Sequence, residues 1–176
     1  TQSDVAAIGT LGVVGTGAIA GARATVPLPA FPGREKLVHN LTVGLDYKDF
    51  GETIDLLGAD TLNTPISYTM WSANYGGTIF GDESRSVYGL GVNFALRGMG
   101  NTVKEFQNKR FLSKPNFFYL VASASHVHTL PYALELFASF DAQLADSPLI
   151  SNEQFAMGGL QSVRGYFESQ QFTDNG

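Results

Sequence analysis

Between Tyr132 and Leu144 the chain alternates between an apolar set and a set that holds two carboxylates, an amide and one large apolar residue. Tyr132, Leu134, Leu136, Ala138, Phe140, Ala142 and Leu144 alternate with Ala133, Glu135, Phe137, Ser139, Asp141 and Gln143. A period of two places one set on each side of a β-strand, because successive side chains point to opposite faces. Residues 35 to 49 repeat the pattern, with Leu37, Leu41, Val43, Leu45 and Tyr47 opposite Lys36, Asn40, Thr42, Asp46 and Lys48. Residues 86 to 97 set Tyr88, Leu90, Val92, Phe94 and Leu96 against Gly89, Gly91, Asn93 and Arg97. Less regular runs at 12 to 28, 64 to 75, 117 to 128 and 153 to 163 bring the candidate strands to seven.

These runs are long. Globular strands have a mode of about 5 to 6 residues, whereas a tilted strand that crosses a bilayer needs about 9 to 11. The alternation predicts an all-β fold and leaves two environments open, a soluble β-sandwich and a membrane β-barrel. In the first the polar face meets bulk water; in the second it meets the lumen. A mean hydropathy of +0.01 fits both, and no stretch nears the roughly 18 apolar residues of a spanning helix. Twenty glycines, 12% aromatics and only 15% charged residues tilt the reading to a barrel. Aromatic residues also gather near strand ends, at Phe31, Tyr47, Phe50, Tyr75, Phe117 to Tyr119 and Tyr132, as in the belts at membrane interfaces.

Connections are expected at 29 to 34, 50 to 63, 76 to 84, 98 to 116, 129 to 131 and 145 to 152, with a short helix within 102 to 112. The expected topology is an up-and-down meander. Seven strands cannot close a spanning barrel, and an open edge in lipid leaves backbone groups unpaired at several kcal/mol each, on the order known for such groups. The chain opens on Thr1 with no basic-then-apolar leader and stops on Asp174-Asn175-Gly176. It is expected to be an internal stretch of a longer protein.

The net charge is -5, and the 11 lysines and arginines are scattered, which argues against a nucleic-acid partner. Without cysteine there is no disulfide or thiolate chemistry. His126 and His128 share a strand face, but two ligands do not make a tetrahedral metal site. Glu135 and Asp141 lie six residues apart, about 20 Å along a strand, beyond the ~5 to 9.5 Å of paired glycosidase carboxylates. Together with Gln143 they read as lumen-facing polarity. Ser162 has no evident histidine and acid partners, and Gly158-Gly159-Leu160-Gln161-Ser162-Val163-Arg164-Gly165 lacks the ending of a phosphate loop. Neither an enzyme nor a cofactor nor a metal is predicted.

The C-terminal run carries the sharpest motif. Glu153-Gln154-Phe155-x-Met157-Gly158-Gly159-x-x-Ser162-Val163-Arg164-Gly165-Tyr166, followed by Asp174-x-Gly176, resembles the signature of the outer-membrane two-partner-secretion transporters of the haemolysin secretion and activation family. Phe117-Phe118-Tyr119-Leu120, Leu130-Pro131, Gln143 and Ser147-Pro148-Leu149 match that family in the same order. The resemblance implies a barrel of about sixteen strands in a Gram-negative outer membrane, preceded by small periplasmic POTRA domains. It implies a secreted exoprotein, haemolysin-like or adhesin-like, as the partner, moved unfolded from the periplasm without ATP.

It also implies a lumenal loop. In such transporters the Val163-Arg164-Gly165-Tyr166 tetrad folds back into the barrel and its arginine pairs with a carboxylate on a later strand, beyond Gly176. Gly165 would allow close approach and Tyr166 would pack on the wall. The rivals are a barrel-assembly insertase with a similar Arg-Gly-Phe/Tyr loop and a soluble β-sandwich binding module. One conflict stands: if the Val163 to Tyr166 loop begins on the outer side, as the resemblance implies, counting the strands back puts the long connections 50 to 63 and 98 to 116 on the periplasmic side, the reverse of general barrel practice, so either the family departs from that rule or the strand count is off.

Overall fold

In a computed structural model the chain is described over residues 2–8, 11–33, 36–56, 61–100, 102–159, 167 and 171–176. Long antiparallel strands follow one another: β1 (Gln2–Ile8), β2 (Leu11–Pro27), β3 (Leu37–Leu56), the short β4 (Thr61–Asn63), β5 (Ile66–Phe80), β6 (Ser84–Gly100), β7 (Phe117–Leu130) and β8 (Leu134–Ala145). They form one sheet in the order β1-β2-β3-β5-β6-β7-β8, with β4 paired to the end of β3. This is an up-and-down meander. β1 and β8 do not pair with each other, so the sheet is part of a barrel wall and not a closed barrel.

The strands run further than alternation alone suggests. β3 continues past Asp49 to Leu56, where β2 pairs it as far as Leu11↔Leu56, and β5 continues past Tyr75 to Phe80 along an unbroken ladder with β3 that reaches Leu37↔Ile79. Tyr132 belongs to the β7–β8 turn with a positive φ of 67°, and β8 starts two residues later. Along β5 the alternation of more and less buried residues runs from Ile66 through Trp71 to Ser72.

Following the register from strand to strand assigns the described side chains of the sheet to one of two faces. The outer face carries Leu41, Val43 and Leu45 of β3, Leu90 of β6 and Leu134, Leu136, Phe140 and Leu144 of β8, all exposed. Exposed apolar surface on this scale marks a face that meets lipid or another apolar body. Near one rim of this face Phe31 stacks on His39 at 4.9 Å, and His39 Nδ1 lies 3.1 Å from the Tyr75 hydroxyl. The inner face carries Arg23, Asp46, Ser72, Asn93 and Gln143, and Arg23 donates to Asp46 at 2.7 Å.

One end of the inner face breaks the rule. Ile66, Tyr68 and Met70 of β5 point inward, as do Phe117 and Tyr119 of β7, and all five are buried. They are covered by the connections at that end. Opposite Tyr68 and Met70 the register of β6 shifts, Gly98 has a φ of 92°, and a Cβ on Gly100 would stand 2.4 Å from the Ser67 carbonyl oxygen. The bulge turns the chain into α1 (Val103–Lys109). Glu105 caps this helix, accepting from the Thr102 backbone N–H at 2.6 Å and its hydroxyl at 2.7 Å. Phe106, fully buried, then sits 5.8 Å from the Tyr68 ring and 6.3 Å from that of Phe117.

The connections sort by end. At one end they are 28–36, 81–83 and 131–133; at the other, among the described residues, they are the chain between β3 and β5, residues 102–116, and the chain from Asp146 that follows β8. Of the stretch 153 to 163, residues 160 to 163 lie outside the described residues; among the described ones β9 (Phe155–Met157) is extended, and it pairs not with β8 but with β10 (Gln171–Thr173) in a separate two-stranded sheet. The seventh strand of the path is β1 instead. With the sheet path ending at β8, the connection that follows β8 leaves the sheet at the same end as the long connections, which removes one strand from the count behind the conflict of sides.

A charge on either face separates the two environments. With the full-length protein folded into phospholipid vesicles, Phe140→Arg on the outer face is expected to cost about 2 to 4 kcal/mol, and Ser139→Arg on the inner face within about 0.5 kcal/mol, measured by urea unfolding. Equal costs would contradict the assignment of faces.

Candidate functional site

Past Ala145 the chain doubles back over the inner face. Asp146 closes the end of β8 by exchanging contacts with Phe118, its backbone N–H donating to the Phe118 carbonyl at 3.0 Å and its carboxylate accepting the Phe118 N–H at 3.0 Å. Leu149 and Ile150 then insert into the cluster of Ile66, Met70, Phe106 and Phe117 and are fully buried. One 3-10 turn, Ser151–Glu153, aims a carboxylate at the wall.

Glu153 is 5% exposed. An ionised carboxylate so far from water is tolerated only when its oxygens are paired, and three donors from three strands meet it. The Lys48 ammonium of β3 lies 2.5 Å from Oε1, the Tyr68 hydroxyl of β5 donates to the same oxygen, and the Tyr119 hydroxyl of β7 donates to Oε2 at 2.8 Å. Lys48 stands directly opposite Tyr68 in the ladder, with its ammonium 5.8 Å from the Tyr68 ring centre. From β8, Gln143 Nε2 donates to the Glu153 carbonyl at 3.1 Å.

The returning limb has its own tie. Gly158 and Gly159 end β9 with φ of 116° and 98°, a conformation that glycine adopts without strain. After β10, Asp174 pairs with Arg110, which follows α1, and accepts from the Leu149 N–H at 3.1 Å and the Gln154 side-chain amide at 3.1 Å. Arg110 also donates to the Leu149 carbonyl at 2.6 Å. Burial alone would raise the Asp174 carboxyl, but the hydrogen bonds from Arg110, Leu149 and Gln154 outweigh it and hold the group below its ordinary value. Gly176 and Gln143 exchange backbone hydrogen bonds of 2.8 and 3.0 Å along the edge of β8, and Asn175 Oδ1 accepts the Ala145 N–H at 2.7 Å.

Residues 63–176 match the family of the haemolysin secretion/activation protein ShlB/FhaC/HecB. The chain belongs to this family. No curated protein and no solved structure matches it. Haemolysin secretion/activation proteins are outer-membrane transporters of Gram-negative bacteria and not a family of enzymes, which suits a site built of anchoring contacts.

The motif residues of this family member divide in three. Ser162, Val163, Arg164, Gly165 and Tyr166 lie outside the described residues. Gly158, Gly159, Asp174 and Gly176 all belong to the doubled-back segment and shape or fasten it. Glu135, Asp141 and Gln143 share the inner face with Lys48, Tyr68 and Tyr119; Gln143 is buried, while Glu135 and Asp141 are exposed. Asp141 borders a hollow on that face with Gly89, Gly91, Ser123 and Phe155. His126 and His128 stack 6.2 Å apart on the outer face, His126 bonding Ser86 at 2.8 Å, and no group of three metal-ligating side chains occurs among the described residues.

Sequence reasoning did not single out Lys48, Tyr68, Tyr119, Glu153 or Arg110 as a constellation. A signal for it exists in the register: with β5 in phase with its neighbours, Ile66, Tyr68 and Met70 are apolar residues on the face that other strands keep polar. Something had to cover them.

The depressed Asp174 carboxyl sets a pH dependence. A native state that holds the pKa down disfavours the proton, so the Arg110–Asp174 tie contributes fully above the unfolded carboxyl value of about 3.9 and is lost as pH falls through the lower folded value. The Leu149 amide is expected to keep its hydrogen-exchange protection factor from pH 7 to pH 5 and to lose it only below about pH 4. Loss of protection between pH 7 and 5 would contradict this.

Proposed function

We propose that the chain is part of the barrel of a two-partner-secretion transporter, which passes an unfolded exoprotein outwards through its lumen without ATP. The observation that carries this reading is the doubling back of residues 146–154 across the inner face, at the end where the long connections leave the sheet. Outer-membrane barrels have short periplasmic turns and longer outer loops. On that rule the end with residues 101–116 and 146–176 is the outer one, and the segment with Val163, Arg164, Gly165 and Tyr166 is an outer loop that turns into the lumen. Further strands complete the barrel and POTRA domains receive the exoprotein.

Arg164 anchors that loop. A guanidinium buried in the lumen needs a carboxylate, bound in bidentate fashion, to offset its desolvation, and by the family resemblance that partner is expected on a strand beyond Gly176. Gly165 allows the approach and Tyr166 packs against the wall. The family match favours this over a barrel-assembly insertase. A soluble sandwich is disfavoured by the outer face, whose leucines and valines have no second sheet over them among the described residues.

Removing one member of a buried ion pair costs about 3 to 5 kcal/mol, enough to displace the loop. In the full-length protein, Arg164→Ala is expected to lower the exoprotein recovered in the medium by about tenfold or more, on that energy scale, with barrel level in the outer membrane unchanged. Secretion at the normal rate would contradict the anchor.

A further inference from the structure

We propose that Lys48, Tyr68 and Tyr119 form a latch for Glu153 that holds residues 146–154 over the outer mouth of the pore, as an anchor of the loop separate from Arg164. The inference rests on the reading of the inner face as a lumen. Its basis is the division of the four residues: three belong to the wall, on β3, β5 and β7, and the fourth to a segment that is not part of the sheet. The Lys48 and Glu153 side chains are 13% and 3% exposed, so the pair is sealed on the wall.

Around it the contacts are apolar. Leu149 and Ile150 from one connection and Phe106 from another fill the space above Ile66, Met70 and Phe117. A polypeptide cannot pass where side chains are packed to this density, so transport requires this cap to shift. Apolar contacts have no preferred direction and tolerate sliding; a carboxylate with three fixed donors does not. A buried ion pair is also a poor means of stabilisation, since apolar residues of similar volume serve as well or better, and its best-attested use is in fixing one arrangement over others. The Arg110–Asp174 pair fastens the other limb to the 101–116 connection in the same way. Both limbs are tied, and in sequence the tetrad falls between them.

The test is channel recording of the full-length protein in planar bilayers, with retention of the heat-modifiable folded band on gels as the check of folding. Lys48→Met and Glu153→Gln are each expected to raise the open probability at least twofold. The double variant should do no more than either alone, since both remove one contact. Lys48→Arg keeps the charge and should bring back the closed behaviour. Wild-type behaviour in both single variants, or independent effects that multiply in the double, overturns the latch. Should either single variant lose the folded band, Tyr119→Phe, which removes one hydroxyl, is expected to give a smaller rise; no rise overturns the proposal. Absence of channels in the wild-type protein overturns the lumen reading and the latch with it. Channels altered by Arg164→Ala but by none of the latch variants overturn the latch alone.

Discussion

Side chains on a strand alternate with a period of two, so a slip of one residue exchanges the two faces entirely. This constraint governs the whole sheet. The ladder between β2 and β3 runs from Leu11↔Leu56 to Pro27↔Asn40 without a break, and those of β7 with β6 and β8 are equally continuous. Once Leu41, Val43 and Leu45 face outward, the register carries the assignment to Leu90 and to Leu134, Leu136 and Phe140. Strand length then follows from pairing and not from local propensity, which is why β3 runs through Gly51 and β5 through Gly76 and Gly77.

The same constraint creates the site. Keeping β5 in register turns Ile66, Tyr68 and Met70 towards the polar face, where they must be covered. The bulge at the end of β6 supplies α1 and Phe106, and the chain after β8 supplies Leu149 and Ile150. The cover brings a carboxylate into a dry place, and the wall answers with Lys48 and two tyrosine hydroxyls. Packing, charge and backbone conformation thus meet at one end of the sheet.

Much of the wall is legible in the sequence. Alternation alone places the residues of β2, β3, β6 and β8 on their faces, and the short helix within 102 to 112 is present as α1. What local pattern does not reveal is whatever depends on distant partners. Residues 153 to 163 resemble a strand because Phe155 and Met157 alternate, but Gly158 and Gly159 bend the chain and the pairing partner is β10, not β8. Lys48 and Glu153 are separated by 105 residues, and nothing near either one announces the other. Even so, the outward phase of the leucines on one strand and the inward phase of Ile66 on another are both written in the sequence, and their conflict points to a covered end.

The account stands on the claim that one face of this sheet meets lipid and the other a water-filled lumen capped at one end. Spin labels placed one at a time from Leu134 to Ala145 in the full-length protein in phospholipid vesicles test it most directly. Collision with oxygen should peak at even-numbered positions and collision with a water-soluble nickel chelate at Glu135 to Asp141 on the odd-numbered ones, with Gln143 and Ala145 shielded from both reagents by the doubled-back segment. Uniform access of the chelate to both faces would contradict the barrel wall and return the fold to a soluble sandwich.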